Sequence, residues 1–208
     1  MDSSADVTMS GDSTECYFGF SVSNAGDVDG DSYADVLIGA CGNDTTYGNA
    51  YIFMGGATMD GVVDETLLGE NAGSYFGYSV SDAGDLNDDN YADVIVGAYR
   101  IGSGVGRAYI YFGGVNMYGD TAAVAITGET AGNYLGRSVS SAGDVNNDGF
   151  ADVIVGSFGY NSTTGRAEIY FGGAEVNIGA DVTLNGETLN NYFGRLVSIA
   201  GDVNNDVF

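Results

Sequence analysis

Three acidic loops in this 208-residue sequence share one pattern of oxygen-bearing side chains. The loops span residues 27–35, 85–93 and 144–152, and each places Asp or Asn at loop positions 1, 3, 5 and 9. Calcium takes about six to eight oxygen ligands in a flexible cage, which a tight loop with alternate Asp or Asn residues can supply. The aromatic residue at position 7 would add its backbone carbonyl while its ring packs into the fold. The pattern therefore predicts three calcium sites.

The ligands predicted for these sites come from the same five positions of every loop. They are Asp27, Asp29, Asp31, Tyr33 and Asp35 in loop 1, Asp85, Asn87, Asp89, Tyr91 and Asp93 in loop 2, and Asp144, Asn146, Asp148, Phe150 and Asp152 in loop 3. Solvated turns are the alternative, since Asp, Asn and Gly favour turns. Turn propensity alone would not fix the same five positions three times, and the carboxylates would repel one another without a cation.

Other metals and another calcium motif fit the loops less well. The sequence contains no histidine, which argues against zinc and copper. An EF-hand is excluded because no Glu stands at position 12 and strands flank the loops. A fourth loop begins at Asp202 and includes Asn204 and Asp206, but the sequence ends before its position 9. We therefore expect three complete calcium sites and an incomplete fourth.

The elements that hold these loops are repeated units. The segment 17–56 recurs without gaps at 75–114 and at 134–173. Each unit contains four short apolar runs separated by polar or glycine-containing turns, which predicts four strands. A repeat of about 60 residues with four strands is typical of a propeller blade. One small sheet cannot bury both of its faces alone, so it needs neighbouring sheets.

The predicted fold is all-β: tandem four-stranded blades of a β-propeller or partial propeller, about three and a half of them in this chain. A β-solenoid is the alternative. The predicted division is residues 1–16 as the outer strand of a preceding blade, 17–74 as repeat 1, 75–133 as repeat 2, 134–191 as repeat 3 and 192–208 as the start of repeat 4. The central triplet Val94, Ile95 and Val96 should pack between blades.

The charge of the sequence excludes several classes of partner. Asp and Glu number 29 against five basic residues, all arginine, which gives a formal net charge of −24. This charge repels nucleic acid and anionic membranes, and it favours bound cations. No apolar run approaches the roughly 20 residues of a membrane span. The N-terminal residues do not resemble a signal peptide, so any such signal lies outside this sequence.

Short motifs at the ends of the strands resemble the FG-GAP repeats of integrin α-subunits. Phe18-Gly19 opens the first unit, the acidic loop follows, and Gly39-Ala40 closes its second strand; Phe76-Gly77 with Gly97-Ala98 repeats the motif. The third unit carries the looser versions Leu135-Gly136 and Gly156-Ser157, and Phe193-Gly194 begins a fourth. The resemblance implies a propeller whose loops bind calcium on its lower face and stiffen blades used in adhesion or ligand binding.

The cysteines and two glycosylation motifs indicate secretion. Cys16 and Cys41 flank adjacent ends of the first hairpin, which makes a disulfide plausible, with two separate buried thiols as the alternative. Sequons at Asn43 and Asn161 occupy the same loop of units 1 and 3. Together with the calcium loops, these features predict an extracellular or cell-surface location.

The resulting hypothesis is an extracellular calcium-binding structural or adhesion module, not an enzyme. No catalytic triad, zinc site or phosphate loop is recognisable. One alternative is a filament subunit that assembles through unpaired half-blade ends, and another is a carbohydrate-binding propeller. The expected partners are a protein or glycan ligand or further copies of the chain. Arg137 and Arg195 follow equivalent glycines, so a packing or surface role is expected for them.

Overall fold

The computed structural model describes residues 5–11, 16–115, 117 and 121–201. These residues form three four-stranded antiparallel sheets, in each of which the strands lie side by side in chain order. The predicted all-β array of four-stranded blades is confirmed, and the sheets are the blades of a partial propeller. No helix in the described part of the chain is long and apolar enough to cross a membrane.

The strands follow one another in the same way in all three blades. Blade 1 contains β1 (Tyr17–Gly26), β2 (Asp35–Cys41), β3 (Asn49–Phe53) and β4 (Glu65–Leu68). Blade 2 contains β5 (Phe76–Gly84), β6 (Asp93–Ala98), β7 (Arg107–Tyr111) and β8 (Val124–Thr127). Blade 3 contains β9 (Leu135–Gly143), β10 (Asp152–Ser157), β11 (Arg166–Tyr170) and β12 (Val182–Asn185). Single helical turns, α1 (Ile101–Gly104) and α2 (Tyr160–Thr163), join the second and third strands of blades 2 and 3.

Apolar side chains from opposite faces of each sheet form separate cores between the blades. Val94 and Val96 of β6 belong to the core shared with blade 1, whereas Ile95 belongs to the core shared with blade 3. The prediction that this triplet packs between blades is therefore confirmed. Because successive side chains of a strand point to opposite faces, one β-branched run supplies both interfaces.

Glycines of adjacent blades touch at one end of each interface. A Cβ atom added to Gly39 would overlap the carbonyl oxygen of Gly77, and one added to Gly97 would overlap that of Gly136. Gly136 has a φ of 80°, which favours glycine, and interrupts the pairing of β9 with β10. The two glycine motifs thus recur because the second strand of one blade meets the first strand of the next.

Serine side chains make a second set of contacts between the blades. The Val80 N–H donates to Ser21 Oγ at 3.1 Å, and the Val139 N–H donates to Ser79 Oγ at 3.1 Å. The Val197 N–H donates to the equivalent Ser138 Oγ at 3.0 Å. β1 and β5 are thereby fixed to the first strand of the next blade, and β9 is fixed to the segment that contains Val197.

The described residues on either side of the three blades, 5–11 and 192–201, do not form named strands. Residues 5–11 have no strand pairing, although Met9 packs on the outer face of blade 1. The assignment of residues 1–16 to the outer strand of a preceding blade stays a prediction. Val197 and Ile199 lie beside β9, and Phe193 bridges to Gly165, directly before β11. The exact bounds of the repeats remain a prediction.

Candidate metal centre

The aspartate at position 9 anchors each acidic loop from beneath. Asp35 is buried, and its carboxylate accepts the Val28 N–H at 2.7 Å and the Gly55 N–H at 2.6 Å. Asp93 and Asp152 are buried in the same way and accept N–H groups from the equivalent residues. Those donors are Leu86 and Gly113 in blade 2 and Val145 and Gly172 in blade 3. One carboxylate thus ties the loop to the end of β3, β7 or β11.

The aspartate at position 1 organises the opposite side of the loop. Asp27 accepts the Gly30 N–H at 2.8 Å and the Ser32 N–H at 2.9 Å, so the chain wraps around its carboxylate. The equivalent Asp85 accepts N–H groups from Asp89 and Asn90. Asp144 likewise accepts the N–H groups of Asp148 and Gly149. Backbone donors therefore hold these acidic side chains in place.

Positions 3 and 5 form consecutive turns that aim their side chains at neighbouring backbone N–H groups. Asp29 accepts the Asp31 N–H at 3.1 Å, and Asp31 accepts the Tyr33 N–H at 2.8 Å. The same bonds recur in the other two loops with Asn87, Asp89, Asn146 and Asp148 as acceptors. Tyr33 is 46% exposed, so the position-7 residue of loop 1 is not buried as expected.

Loop 1 differs from loops 2 and 3 in the residue at position 3, which is aspartate in loop 1 and asparagine in the other two. Ligand oxygens of Asp27, Asp29 and Asp35 all lie within 4.8 Å of one another. In loops 2 and 3 the asparagine amide donates to the aspartate at position 5. The distance is 2.9 Å from Asn87 to Asp89 and 2.8 Å from Asn146 to Asp148. Loop 1 therefore has carboxylates at all four of positions 1, 3, 5 and 9, whereas loops 2 and 3 have them at three of these positions, and its hard oxygen donors fit calcium.

Burial makes the position-9 carboxylates costly to ionise. Burial raises the pKa of Asp93 to about 7, opposed by the N–H groups of Gly113 and Leu86 and reinforced by the charges of Asp89 and Asp85. Burial also raises the pKa of Asp35 and of Asp152, and neighbouring loop carboxylates add to the effect. A cation beside these groups would favour their ionised form.

Backbone hydrogen bonds join loops 1 and 2 to the next blade, a feature that the pattern of acidic residues does not predict. The carbonyl of Asp27 accepts the Ala92 N–H at 2.9 Å, and the carbonyl of Val28 accepts the Gly114 N–H at 2.7 Å. The loop of blade 2 is bonded to blade 3 through Asp85 and Leu86 in the same way. Loops 1 and 2 therefore lie within contacts between blades, in addition to joining two strands of one blade.

The cysteines are free thiols, and the disulfide expected between them is not formed in the structure. The register places Tyr17, and not Cys16, opposite Cys41. The Cys16 thiol instead donates to the Tyr47 carbonyl at 3.2 Å. Cys41 is buried, and burial raises the pKa of its thiol to about 11.

The remaining predicted site residues differ in what the structure shows of them. Asn161 is exposed, whereas Asn43 is half-buried and its side chain accepts the Thr45 N–H at 2.9 Å. Glycosylation at both sequons stays a prediction. The fourth-loop residues Asp202, Asn204 and Asp206 lie outside the described residues.

Comparison with known families agrees with this architecture. The FG-GAP repeat model matches residues 18–53 and 135–170, which cover the first three strands of blades 1 and 3 and their acidic loops. The chain belongs to the FG-GAP repeat family. In the FG-GAP repeats of this chain, Gly39 belongs to the Gly-Ala end of the first motif, and Gly77 belongs to the Phe-Gly start of the second. The contact between these two glycines therefore joins the motifs of two adjacent blades.

Integrin α-subunits are among the relatives of this FG-GAP chain. It is 35% identical to integrin alpha-5 of Xenopus laevis over 76% of this chain and 15% of that protein. It is 34% identical to human integrin alpha-6 over 66% of this chain, and 27% identical to mouse integrin alpha-8 over 90% of it. These two matches cover 12% and 19% of the relatives' own length, so the chain spans less than a fifth of each.

Proposed function

We propose that this chain is an extracellular calcium-binding structural and adhesion module in which calcium stiffens the FG-GAP blades. The observation that carries the proposal is the close group of Asp27, Asp29 and Asp35 in a loop that is bonded to the next blade. Three carboxylates this close repel one another unless a cation lies among them. Stability of the module would then depend on calcium.

The ion would be held by the same five positions in each loop. In loop 1 these are the carboxylates of Asp27, Asp29, Asp31 and Asp35 with the carbonyl of Tyr33. Loops 2 and 3 would use the equivalent residues, with Asn87 and Asn146 supplying amide oxygens in place of one carboxylate. A bound ion would supply positive charge and fix the loop conformation; it has no catalytic role in this proposal, and the chain is not an enzyme.

The bonds between the blades extend the effect of each ion beyond its own loop. Because Asp27 and Val28 accept N–H groups from blade 2, a rigid loop 1 holds Ala92 and Gly114 in place. Loop 2 acts on blade 3 in the same manner. Calcium would therefore stabilise the contacts between blades as well as the turns themselves.

The adhesive and extracellular parts of the proposal are supported by the integrin relatives and by the sequons at Asn43 and Asn161. The partner would be a protein or a glycan bound by the assembled blades. The carbohydrate-binding alternative would rest on exposed aromatic residues such as Tyr17, Phe20 and Tyr47, because Tyr51, Tyr109 and Tyr111 are buried.

Amide exchange measured by NMR tests the stiffening directly. With calcium, exchange of the Ala92 and Gly114 N–H groups should slow roughly tenfold or more compared with calcium-free protein. The Ala108 N–H, within the sheet of blade 2, is the matched reference and should change less. Equal exchange of Ala92 and Gly114 with and without calcium would refute the proposed coupling.

Attachment of cells to surfaces coated with the chain tests the adhesive role. Attachment should be saturable, should require calcium, and should be lost in a variant with Asp27→Ala and Asp85→Ala. Coated Asp60→Ala protein is a suitable control, because Asp60 lies outside the acidic loops. Attachment that is unchanged by chelation would contradict this role.

Self-association is a second candidate, because exposed apolar side chains occur at both ends of the array. Tyr17 and Val22 are exposed on β1, and Leu189, Leu196 and Ile199 are exposed near the last described residues. These two surfaces could meet head to tail and extend into a filament. Sedimentation velocity over a concentration series, with Val22→Asp as the variant, distinguishes an assembling chain from a monomer.

A further inference from the structure

Two of the five arginines have no carboxylate partner in the described part of the chain. Three arginines form ion pairs at 2.8 to 2.9 Å: Arg100 with Asp44, Arg107 with Glu70 and Arg166 with Glu129. No carboxylate among the described residues lies within ion-pair distance of Arg137 or Arg195. This is unexpected in a sequence with 29 acidic residues.

Both unpaired arginines line one groove. Arg137 and Arg195 each follow the glycine that opens a unit, at the position that Phe20 and Tyr78 hold in the first two blades. These four side chains share a groove of about 590 Å³, which is large enough for a side chain with its neighbours or for a small ligand. The groove lies near the start of each first strand, whereas the acidic loops follow the end of that strand.

Aromatic rings hold Arg137 in the groove without neutralising it. Its guanidinium carbon lies 5.2 Å from the ring centre of Tyr78, 5.9 Å from that of Tyr99 and 5.1 Å from that of Phe158. One guanidinium nitrogen donates to the Tyr78 hydroxyl at 3.0 Å. Another donates to the Arg195 carbonyl at 3.4 Å. Such contacts orient a cation in advance of binding and leave its charge unpaired.

The groove also has apolar walls. Phe20 is 49% exposed and Leu196 is 83% exposed, so both present apolar surface beside the two guanidinium groups. Arginine pairs well with planar carboxylates through two parallel N–H bonds. A carboxylate flanked by apolar groups would pair with the guanidinium groups and pack against the apolar walls at the same time.

We propose that the groove formed by Phe20, Tyr78, Arg137 and Arg195 binds an acidic side chain of a partner protein, carried on an otherwise apolar segment. A long polyanion such as a sulfated glycan fits less well, because the net charge of −24 repels it outside the groove. A single carboxylate avoids most of this repulsion. The site is additional to the calcium loops and does not rest on them.

Fluorescence anisotropy with two blocked, labelled pentapeptides tests the proposal on the full chain in calcium-containing buffer. One peptide has a central glutamate between leucines, and the other has glutamine in its place. The glutamate peptide should bind saturably and at least about tenfold more tightly than the glutamine peptide. Arg195→Gln should weaken its binding by roughly tenfold, whereas Arg100→Gln should leave binding unchanged.

Arg195 is the preferred site of substitution because its side chain is exposed, while Arg137 also packs on three rings. Thermal melts of each variant check that folding is retained, and Arg137→Gln provides a second variant. Equal binding of the two peptides, or unchanged binding by Arg195→Gln, would overturn the proposal. Tighter binding of heparin than of the glutamate peptide would also overturn it. Self-association that Arg195→Gln abolishes, without peptide binding, would assign the groove to a second copy instead.

Discussion

The two ends of each contact between blades are held together in different ways. At the end where the first strands begin, glycines such as Gly97 and Gly136 bring uncharged backbone into direct contact. At the other end, the acidic loops place carboxylates inside rings of N–H donors and bond to the next blade. The first end adds ion pairs between an arginine and a carboxylate, such as Arg100 with Asp44, whereas the second end gathers carboxylates held by N–H donors. Calcium should therefore act on the second end and leave the first end unchanged.

Removal of calcium should have the largest effect. A site with free ligand at about 100 times its dissociation constant stabilises the fold by about 2.7 kcal/mol, and three such sites act together. Chelation should therefore lower the melting temperature by roughly 10 °C or more. Calorimetry with and without chelator measures the shift. A shift below about 2 °C would mean that the acidic end does not need the ion.

Substitution of one glycine should have the next largest effect, and it should not depend on calcium. In Gly97→Ala the added methyl group overlaps the Gly136 carbonyl, so the two strands must move apart. The free energy of unfolding should fall by about 3 kcal/mol both with and without calcium. Gly179→Ala is the matched control, because only a side chain lies near the added methyl group there. A loss that disappears in calcium would link the two ends.

The pH dependence of the calcium-free chain should show the cost of burying carboxylates. The pKa of Asp93 is about 7 in the folded chain and about 3.9 when unfolded, so the folded chain binds more protons between these values. Stability should then fall by about 2 to 3 kcal/mol from about pH 5 to about pH 8, in the direction that Asp35 and Asp152 share.

Calcium should remove this dependence, because the ion favours the ionised carboxylates. Urea unfolding at several pH values, with calcium and with chelator, measures both curves. Calcium-free stability that rises over this pH range would show that the buried aspartates are not the titrating groups.

Interchange of aspartate and asparagine at loop position 3 should have the smallest effect, which is a change in the calcium affinity of one loop. Asp29→Asn gives loop 1 the amide that loops 2 and 3 carry, and it should weaken calcium binding by loop 1 roughly tenfold, or about 1.4 kcal/mol. The reverse substitution, Asn87→Asp, should strengthen the site in loop 2. Calcium titrations of both variants provide the comparison. Unchanged affinities would show that ligand charge does not distinguish the loops.

The sequence predicts the acidic end of the blades better than the glycine end. Each loop is a continuous segment, so the positions of Asp27 and Asp35 relative to one another follow from local turns and the strands that flank them. The contact of Gly39 with Gly77 joins residues from two units, and no local pattern states which units meet. The glycine motif was recognisable, but its physical cause required the arrangement of the blades.

Two other features show the same limit. The sequence places Cys16 near Cys41 in a hairpin, but the pairing of Tyr17 with Cys41 and the bond from Cys16 to Tyr47 depend on register and on a neighbouring loop. Arg137 is assigned to packing by its position in the repeat. Its lack of a carboxylate partner among the described residues appears only when three blades are assembled.

Direct measurement of calcium binding by isothermal titration calorimetry tests the central claim most directly. The chelator-treated chain should bind at least three calcium ions, and Asp27→Ala, Asp85→Ala and Asp144→Ala should each remove one. Asp60→Ala should bind as many ions as the unaltered chain. If the chain binds no calcium saturably, or if the loop variants bind as many ions as the unaltered chain, the account of the acidic loops is contradicted.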